Sequence, residues 1–277
     1  MQKALTFTIS HRLSGTLARA GVIETPHGQI ETPAFIPVGT KATLKALTPE
    51  QLKATGAQAV LANAYHLFLR PGADIIDEAG GIHTFMNWSG PTFTDSGGFQ
   101  VMSLGAGFKK VIDMTGDTPE SAPSKKEKLA RIDDDGVRFK SHLDGSMYKF
   151  TPEISMQIQH SIGADITFAF DELTTLHHDY NYQVESLEKR THPWAVRSLA
   201  EHQRLNNERS HRPPQALFGV IQGANYEDLR RRSAKFLGAM DFDGYGLGGA
   251  LEKDKIGEIV GWMCEELPED KPRHMLG

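Results

Sequence analysis

Cysteine is nearly absent: Cys264 is the only one in 277 residues. A lone thiol excludes a disulfide framework and any cysteine-rich metal site within these residues, and it fits a reducing cytoplasm. Positive charge is not in excess either. Lys and Arg number 30 against 35 Asp and Glu, a net charge of −5. No global basic field exists, so a nucleic-acid partner would have to be gripped by a local patch. Apolar runs near 18 residues are missing, and so is a leader peptide, which points to a soluble protein with no membrane partner. Glycine is what the chain has in plenty, 27 of 277 residues against the usual ~7%. Much of that excess sits at the ends of expected strands. A hydrophobic content of 39% can bury a full core, in one large α/β domain or two smaller ones.

Residues 5–33 read as short strands with a Gly-containing turn at Pro26-His27-Gly28, an antiparallel hairpin lid on one end of a larger domain. A strand–helix rhythm then starts. Strands are expected at 34–38, 59–64, 91–94, 164–170, 216–221, 244–247 and 272–277. Helices are expected at 48–56, 73–79, 151–163, 183–206, 226–237 and 255–267. Thr48-Pro49-Glu50-Gln51 carries an N-cap, a Pro at the first helical position and a capping box. Residues 105–136 are polar and Pro- and Ser-rich, an exposed insertion. A small hairpin follows across Asp144-Gly145. Seven βα-type strands argue for a parallel sheet. Polar residues and glycines at several strand ends favour a (β/α)8 TIM barrel over a doubly wound sheet, which gathers its site at one switch point. Seven strands of eight imply a single incomplete barrel spanning 1–277, C-terminally truncated.

The chemistry concentrates at Thr94-Asp95-Ser96-Gly97-Gly98-Phe99-Gln100. A strand ends in a carboxylate, two glycines permit close approach of a flat ligand to the backbone, and an aromatic ring stands ready to stack. Asp171-Glu172, Gln222-Gly223 and Gly248-Gly249 sit at the ends of later strands. A planar, nitrogen-rich ligand beside Asp95 suits this set. The competing reading is an ordinary Asp-Ser-Gly-Gly turn.

Those residues, taken in order, make the chain resemble tRNA-guanine transglycosylase, the queuine tRNA-ribosyltransferase family. Longer stretches match too: Pro37-Val38-Gly39-Thr40, Leu47-Thr48-Pro49-Glu50, Asn63-Ala64-Tyr65-His66-Leu67-Phe68-Leu69-Arg70-Pro71-Gly72, Phe218-Gly219-Val220-Ile221-Gln222-Gly223 and Lys271-Pro272-Arg273-His274-Met275-Leu276-Gly277. The resemblance implies base exchange at the anticodon wobble guanine of tRNA, where a 7-substituted deazaguanine (preQ1 or queuine) replaces guanine in queuosine formation. It implies that Asp95 is the general acid/base, that Ser96, Gly97 and Gly98 line the base pocket with Phe99 stacking, and that Asp171, Gln222 and Gly249 read the polar edge. Guanine offers an N–H/NH2 donor edge for a carboxylate and an O6 acceptor for an amide or backbone N–H. The base must be flipped out of the stack to reach such a pocket.

The resemblance also implies parts that this sequence does not contain. The family's nucleophilic Asp lies beyond Gly277, as do its structural zinc site and RNA-contacting loop. The chain alone is therefore expected to be inactive and to bind no cofactor within its 277 residues, while the full-length protein is a cytoplasmic homodimer. Alternative readings are a non-catalytic tRNA-binding paralogue or subunit, or a TIM-barrel glycosidase using Asp95 and Asp171. Two departures border the pocket for the 7-substituent: Leu173 where many bacterial members have Cys, and Ala250-Leu251-Glu252-Lys253 after Gly248-Gly249. His66 reads equally as a buried histidine or a ligand contact. Arg230, Arg231 and Arg232 read as a solvated helix face ahead of an RNA contact. Adjacent His177-His178-Asp179 is a poor chelator, so no metal is expected there.

Overall fold

The computed structural model describes residues 3–106 and 130–276. Three strands open the chain, β1 (Thr6–Arg12), β2 (Arg19–Thr25) and β3 (Gly28–Thr32), in an antiparallel sheet of order β1-β2-β3. The expected hairpin is β2–β3, and β1 extends it. Two strands of the main sheet follow, β4 (Val60–Ala62) and β5 (Thr92–Thr94). A second antiparallel sheet comes next, β6 (Ala130–Asp133), β7 (Gly136–Lys140) and β8 (Met147–Phe150). The main sheet resumes with β9 (Ile166–Phe168), β10 (Ala216–Ile221), β11 (Gly244–Leu247) and β12 (Arg273–Met275). Its order is β12-β11-β10-β9-β5-β4, parallel throughout. Neighbours succeed one another along the chain without reversal, so among the described residues this sheet has no doubly wound switch point.

Of the seven expected parallel strands, the first forms only one parallel bridge, Val38 to Leu61. Pro37 supplies a carbonyl to Leu61 N–H at 3.0 Å, but it has no N–H of its own for a ladder.

Ten α-helices are found among the described residues: α1 (Pro49–Ala54), α2 (Ala64–Leu69), α3 (Ala73–Glu78), α4 (Ile82–Met86), α5 (Gly98–Ala106), α6 (Pro152–Ile162), α7 (Tyr180–Glu185), α8 (His192–Glu208), α9 (Glu227–Gly238) and α10 (Ile256–Glu266). Thr48 and Gln51 form the reciprocal capping box at α1. The long helix expected over 183–206 is instead α7, a π-helical turn Ser186–Thr191 and α8. Pro193 in the first turn of α8 cannot donate back along the helix, which accounts for the altered hydrogen-bond pattern just before it. Most of the expected insertion, 107–129, lies outside the described residues. At its borders α5 reaches residue 106 and β6 begins at Ala130; residues 131–135 are exposed, while Ala130 and Gly136 are buried.

Both faces of the parallel sheet are buried, which is why β10 is apolar along its whole length. Phe218 and Val220 pack with Phe93, Phe168 and, from the N-terminal sheet, Ile23 and Ile30. Leu217 and Ile221 face the other way, onto Ala234 and Leu237 of α9 and Ile259 and Met263 of α10. The N-terminal sheet thus covers the ends at which the parallel strands begin. Asp165, just before β9, ties it down: Asp165 Oδ1 lies 2.7 Å from His27 Nδ1, and Oδ2 lies 2.9 Å from both His83 Nε2 and the Thr92 N–H. The two imidazoles stack with centroids 3.5 Å apart.

These are three metal-ligating side chains in one place, which the sequence reading did not foresee. Stacked rings direct their nitrogens side by side, each to its own carboxylate oxygen. That suits two N–H donors better than a shared ion. Burial opposes the Asp165 charge, but hydrogen bonds from His27 and His83 outweigh it and hold the carboxyl at about 2, against an ordinary 3.8. A depressed carboxyl stabilises the fold above its unfolded value, so this contribution of about 2 kcal/mol is present above about pH 4 and is lost as pH falls toward 2. Asp165→Asn is therefore expected to cost about 2 kcal/mol in urea melts at pH 7, with the difference shrinking in acid.

Candidate functional site

At the other end of the sheet, residues that follow consecutive strands meet. Asp95 follows β5. Three donors converge on its carboxylate: Asn63 Nδ2, just past β4, at 2.5 Å, the Ala64 N–H at 2.8 Å and Gln100 Nε2 at 3.0 Å. Surrounding protein raises the Asp95 pKa, and these hydrogen bonds oppose the rise without cancelling it. Asn63 and Gln100 are not among the site residues expected from the sequence, although both lie in the matching stretches. A polar side chain ending a strand beside another strand's carboxylate was the available signal.

The turn after Asp95 is built from the expected residues. Gly97 has φ +78°, and a Cβ there would stand 3.0 Å from the Phe150 ring. Ser96 is buried. Its hydroxyl accepts from the Gly98 N–H at 3.2 Å and its carbonyl accepts from Ser155 Oγ at 2.7 Å. The Ser96 side chain therefore closes the turn. Gly98 opens α5 and runs so close to the next strand end that a Cβ would lie 3.1 Å from the Asp171 carbonyl. Phe99, in the first turn of α5, is exposed.

Asp171 stands beyond β9, and Gln222 Nε2 donates to its Oδ2 at 2.6 Å. Burial first, then the charges of Glu172 and Asp95, push Asp171 up to about 7, with Gln222 pulling the other way. Glu172 turns inward: it accepts from Tyr182 OH at 2.7 Å and pairs with Arg190. Gly249, past β11, has φ +94°. A Cβ there would lie 2.5 Å from Gln222 Oε1 and 2.9 Å from Arg230 Nη2. Gly249→Ala combines a left-handed backbone with that collision, so it is expected to lower stability by about 1–3 kcal/mol in thermal melts.

The remaining candidates sort by burial. Arg230 corrects the solvated-face expectation: it is fully buried, and its guanidinium donates to the carbonyls of Ala224, Ile221 and Gly248 at 2.7, 3.0 and 2.6 Å. Helical periodicity turns this one arginine of three inward. Arg231 pairs with Glu227, Glu265 and Glu266, and Arg232 with Glu188, as surface residues do. His66 is half-buried beside Tyr65 and His142. Asp179 caps α7 and His178 stacks on Tyr182. Leu173 is half-buried, with its N–H 3.3 Å from Met102 Sδ. Leu251 is buried in the core, while Ala250 is partly exposed.

Two carboxylates with raised pKa values, each with amide partners, thus stand at the C-terminal strand ends of a parallel α/β fold. This defines an α/β protein with paired carboxylates at one end of its parallel sheet. Comparison with known proteins narrows the class. The profile of the family described as queuine tRNA-ribosyltransferase matches residues 14–277. The queuine tRNA-ribosyltransferase of Desulforamulus reducens is 48% identical over 265 residues, 95% of this chain and 63% of the relative. Those of Caldanaerobacter subterraneus subsp. tengcongensis and Shouchella clausii are 46% and 45% identical, covering 99% and 100% of this chain and 66% of each relative. The chain belongs to the queuine tRNA-ribosyltransferase family. It spans a little under two thirds of the length of these relatives. Among the described residues no helix is long and apolar enough to cross a membrane.

Proposed function

We propose that this chain forms the base-exchange part of a cytoplasmic tRNA-guanine transglycosylase, which replaces the wobble guanine of tRNA by a 7-substituted deazaguanine, preQ1 or queuine. The observation that carries the reading is the pairing of Asp171 with Gln222 in one cleft with Asp95. Asp171, once ionised, accepts from guanine N1–H and the 2-amino group. Gln222 and the Gly249 N–H face O6. Phe99 stacks on the flipped base. Asp95, whose pKa is raised by burial, can pass a proton to the departing base and recover one from the incoming base. Both carboxylates being in place favours an enzyme over a non-catalytic tRNA-binding paralogue. The covalent step at ribose C1′ is assigned to no residue of these 277.

The singly wound strand order supports an incomplete (β/α)8 barrel, with Val38 marking a seventh strand position. A structural zinc held by several cysteines does not fit the residues present, since Cys264 stands alone, and no step is routed through it. Homodimerisation is part of the same proposal. The test is incorporation of labelled guanine into unmodified tRNA. The complete gene product should incorporate it, and the 277-residue chain alone should not, although it should bind the base.

A further inference from the structure

The amide of Gln222 can be oriented in two ways, and the choice decides which purines the cleft accepts. An Oε1 facing the ligand would welcome a 6-amino group. An Nε2 facing it would welcome a 6-oxo group. Two buried atoms near Gly249 bear on this choice. Gln222 Oε1 and Arg230 Nη2 each lack a hydrogen-bond partner, and both lie within 3 Å of the point where a Cβ on Gly249 would stand. One is an acceptor and the other a donor. Gln222 and Arg230 are both almost wholly buried. The other guanidinium nitrogens of Arg230 are occupied by the carbonyls of Ala224, Ile221 and Gly248, at and just beyond the ends of β10 and β11.

We infer that Arg230 is a positioning residue that sets base specificity: its buried cation, on the Oε1 side of Gln222, favours the amide with Nε2 toward Asp171 and the ligand, so the site reads a 6-oxo purine and rejects a 6-amino one. The inference rests on the base-pocket reading above and deepens it. A guanidinium can only donate, so it accepts no other orientation of the amide. The amide nitrogen spends one hydrogen on Asp171 and keeps one for the ligand. Asp171 alone could not enforce this. With its carboxyl raised to about 7, the protonated form can donate to Gln222 Oε1 and reverse the amide, and Arg230 on the far side opposes that reversal. Burial pulls Arg230 down to about 9, and it remains a cation at neutral pH. The two stand without a hydrogen bond between them, so the bias is that of a buried cation beside an amide oxygen in a low-dielectric site. Gly249 makes the approach possible, because any side chain there would separate them.

The test is calorimetric titration of guanine and of 2,6-diaminopurine into this chain as wild type, Arg230→Met, Arg230→Lys and Gln222→Glu. The two bases also differ at N1. Asp171 reads that difference alike in the wild type and both Arg230 variants, so a change in their affinity ratio reports on C6. Wild type should prefer guanine. Arg230→Met should shrink the preference about tenfold, and Arg230→Lys, which keeps charge and donors, should restore most of it. Gln222→Glu, with Arg230 intact and only acceptors to offer, should weaken guanine at least tenfold more than 2,6-diaminopurine. That variant keeps the question open to refutation should Arg230→Met not fold. An unchanged ratio in Arg230→Met, with both affinities falling in parallel, overturns the positioning role, and so does equal weakening of both bases by Gln222→Glu. Wild type that binds neither base sinks the base-pocket reading and this inference with it. Wild type that binds guanine with a ratio indifferent to Arg230 sinks this inference alone.

Discussion

Asp95→Asn in the complete gene product is expected to slow guanine exchange into tRNA by about 10³-fold while leaving guanine affinity within about tenfold, since positioned acid–base groups contribute 10²–10⁴. The substitution keeps the size of the side chain and an oxygen for the Ala64 N–H, and the titrating proton disappears. It also places an NH2 against a carboxylate position that Asn63 and Gln100 already serve as donors. Both neighbours can rotate their amides to compensate, so the fold should survive and the loss should appear in kcat. Single-turnover rates at saturating guanine check this. A loss confined to KM would mean that Asp95 only binds the base.

Asp171→Asn should do the reverse to affinity and stability. Guanine binding should weaken by about 10²–10³-fold, because a carboxylate taking two donors from one base edge contributes roughly 1.5–3 kcal/mol per charged hydrogen bond. The wild-type pH dependence follows from the same group. With Asp171 at about 7, the ionised acceptor is depleted below neutrality, so guanine affinity should fall up to about tenfold for each pH unit below 7. For stability the sign is opposite to that at Asp165. A carboxyl whose folded pKa lies above its unfolded value favours the native state while protonated, and that advantage is lost as pH rises from about 4 to about 7. Above pH 7 the ligand-free protein carries the full penalty of an ionised Asp171, on the order of a few kcal/mol given its partial exposure. Asp171→Asn removes the charge and should raise the melting temperature at pH 8 by several degrees. Gained stability together with lost binding is the pattern expected of a functional carboxylate held where the fold alone would not keep it.

Much of this cleft was legible in the chain because backbone chemistry marks it. Strand ends that finish in Asp95, Asp171, Gln222 and Gly249 stand out against apolar runs, and the glycines at 97 and 249 sit at positive φ, where other residues are strained. Strand order was legible for the same reason, since each βα unit carries its own caps and breakers. Less visible were partners that only the fold brings together. Asn63 meets Asp95 across 32 residues and His27 meets Asp165 across 138, and no local pattern predicts such contacts. Arg230 was misjudged because three consecutive arginines look like a solvated face, while a 3.6-residue period turns one of them to the core. The short α2 and α4 were missed because each has about one turn of its own and depends on tertiary packing.

Equilibrium titration of guanine into this chain at pH 6 and pH 8 tests most directly whether Asp171 and Gln222 hold a purine. Saturable one-to-one binding, tighter at pH 8 and largely abolished by Asp171→Asn, is the predicted result. Binding indifferent to pH and to that substitution, or no binding at either pH, would contradict it.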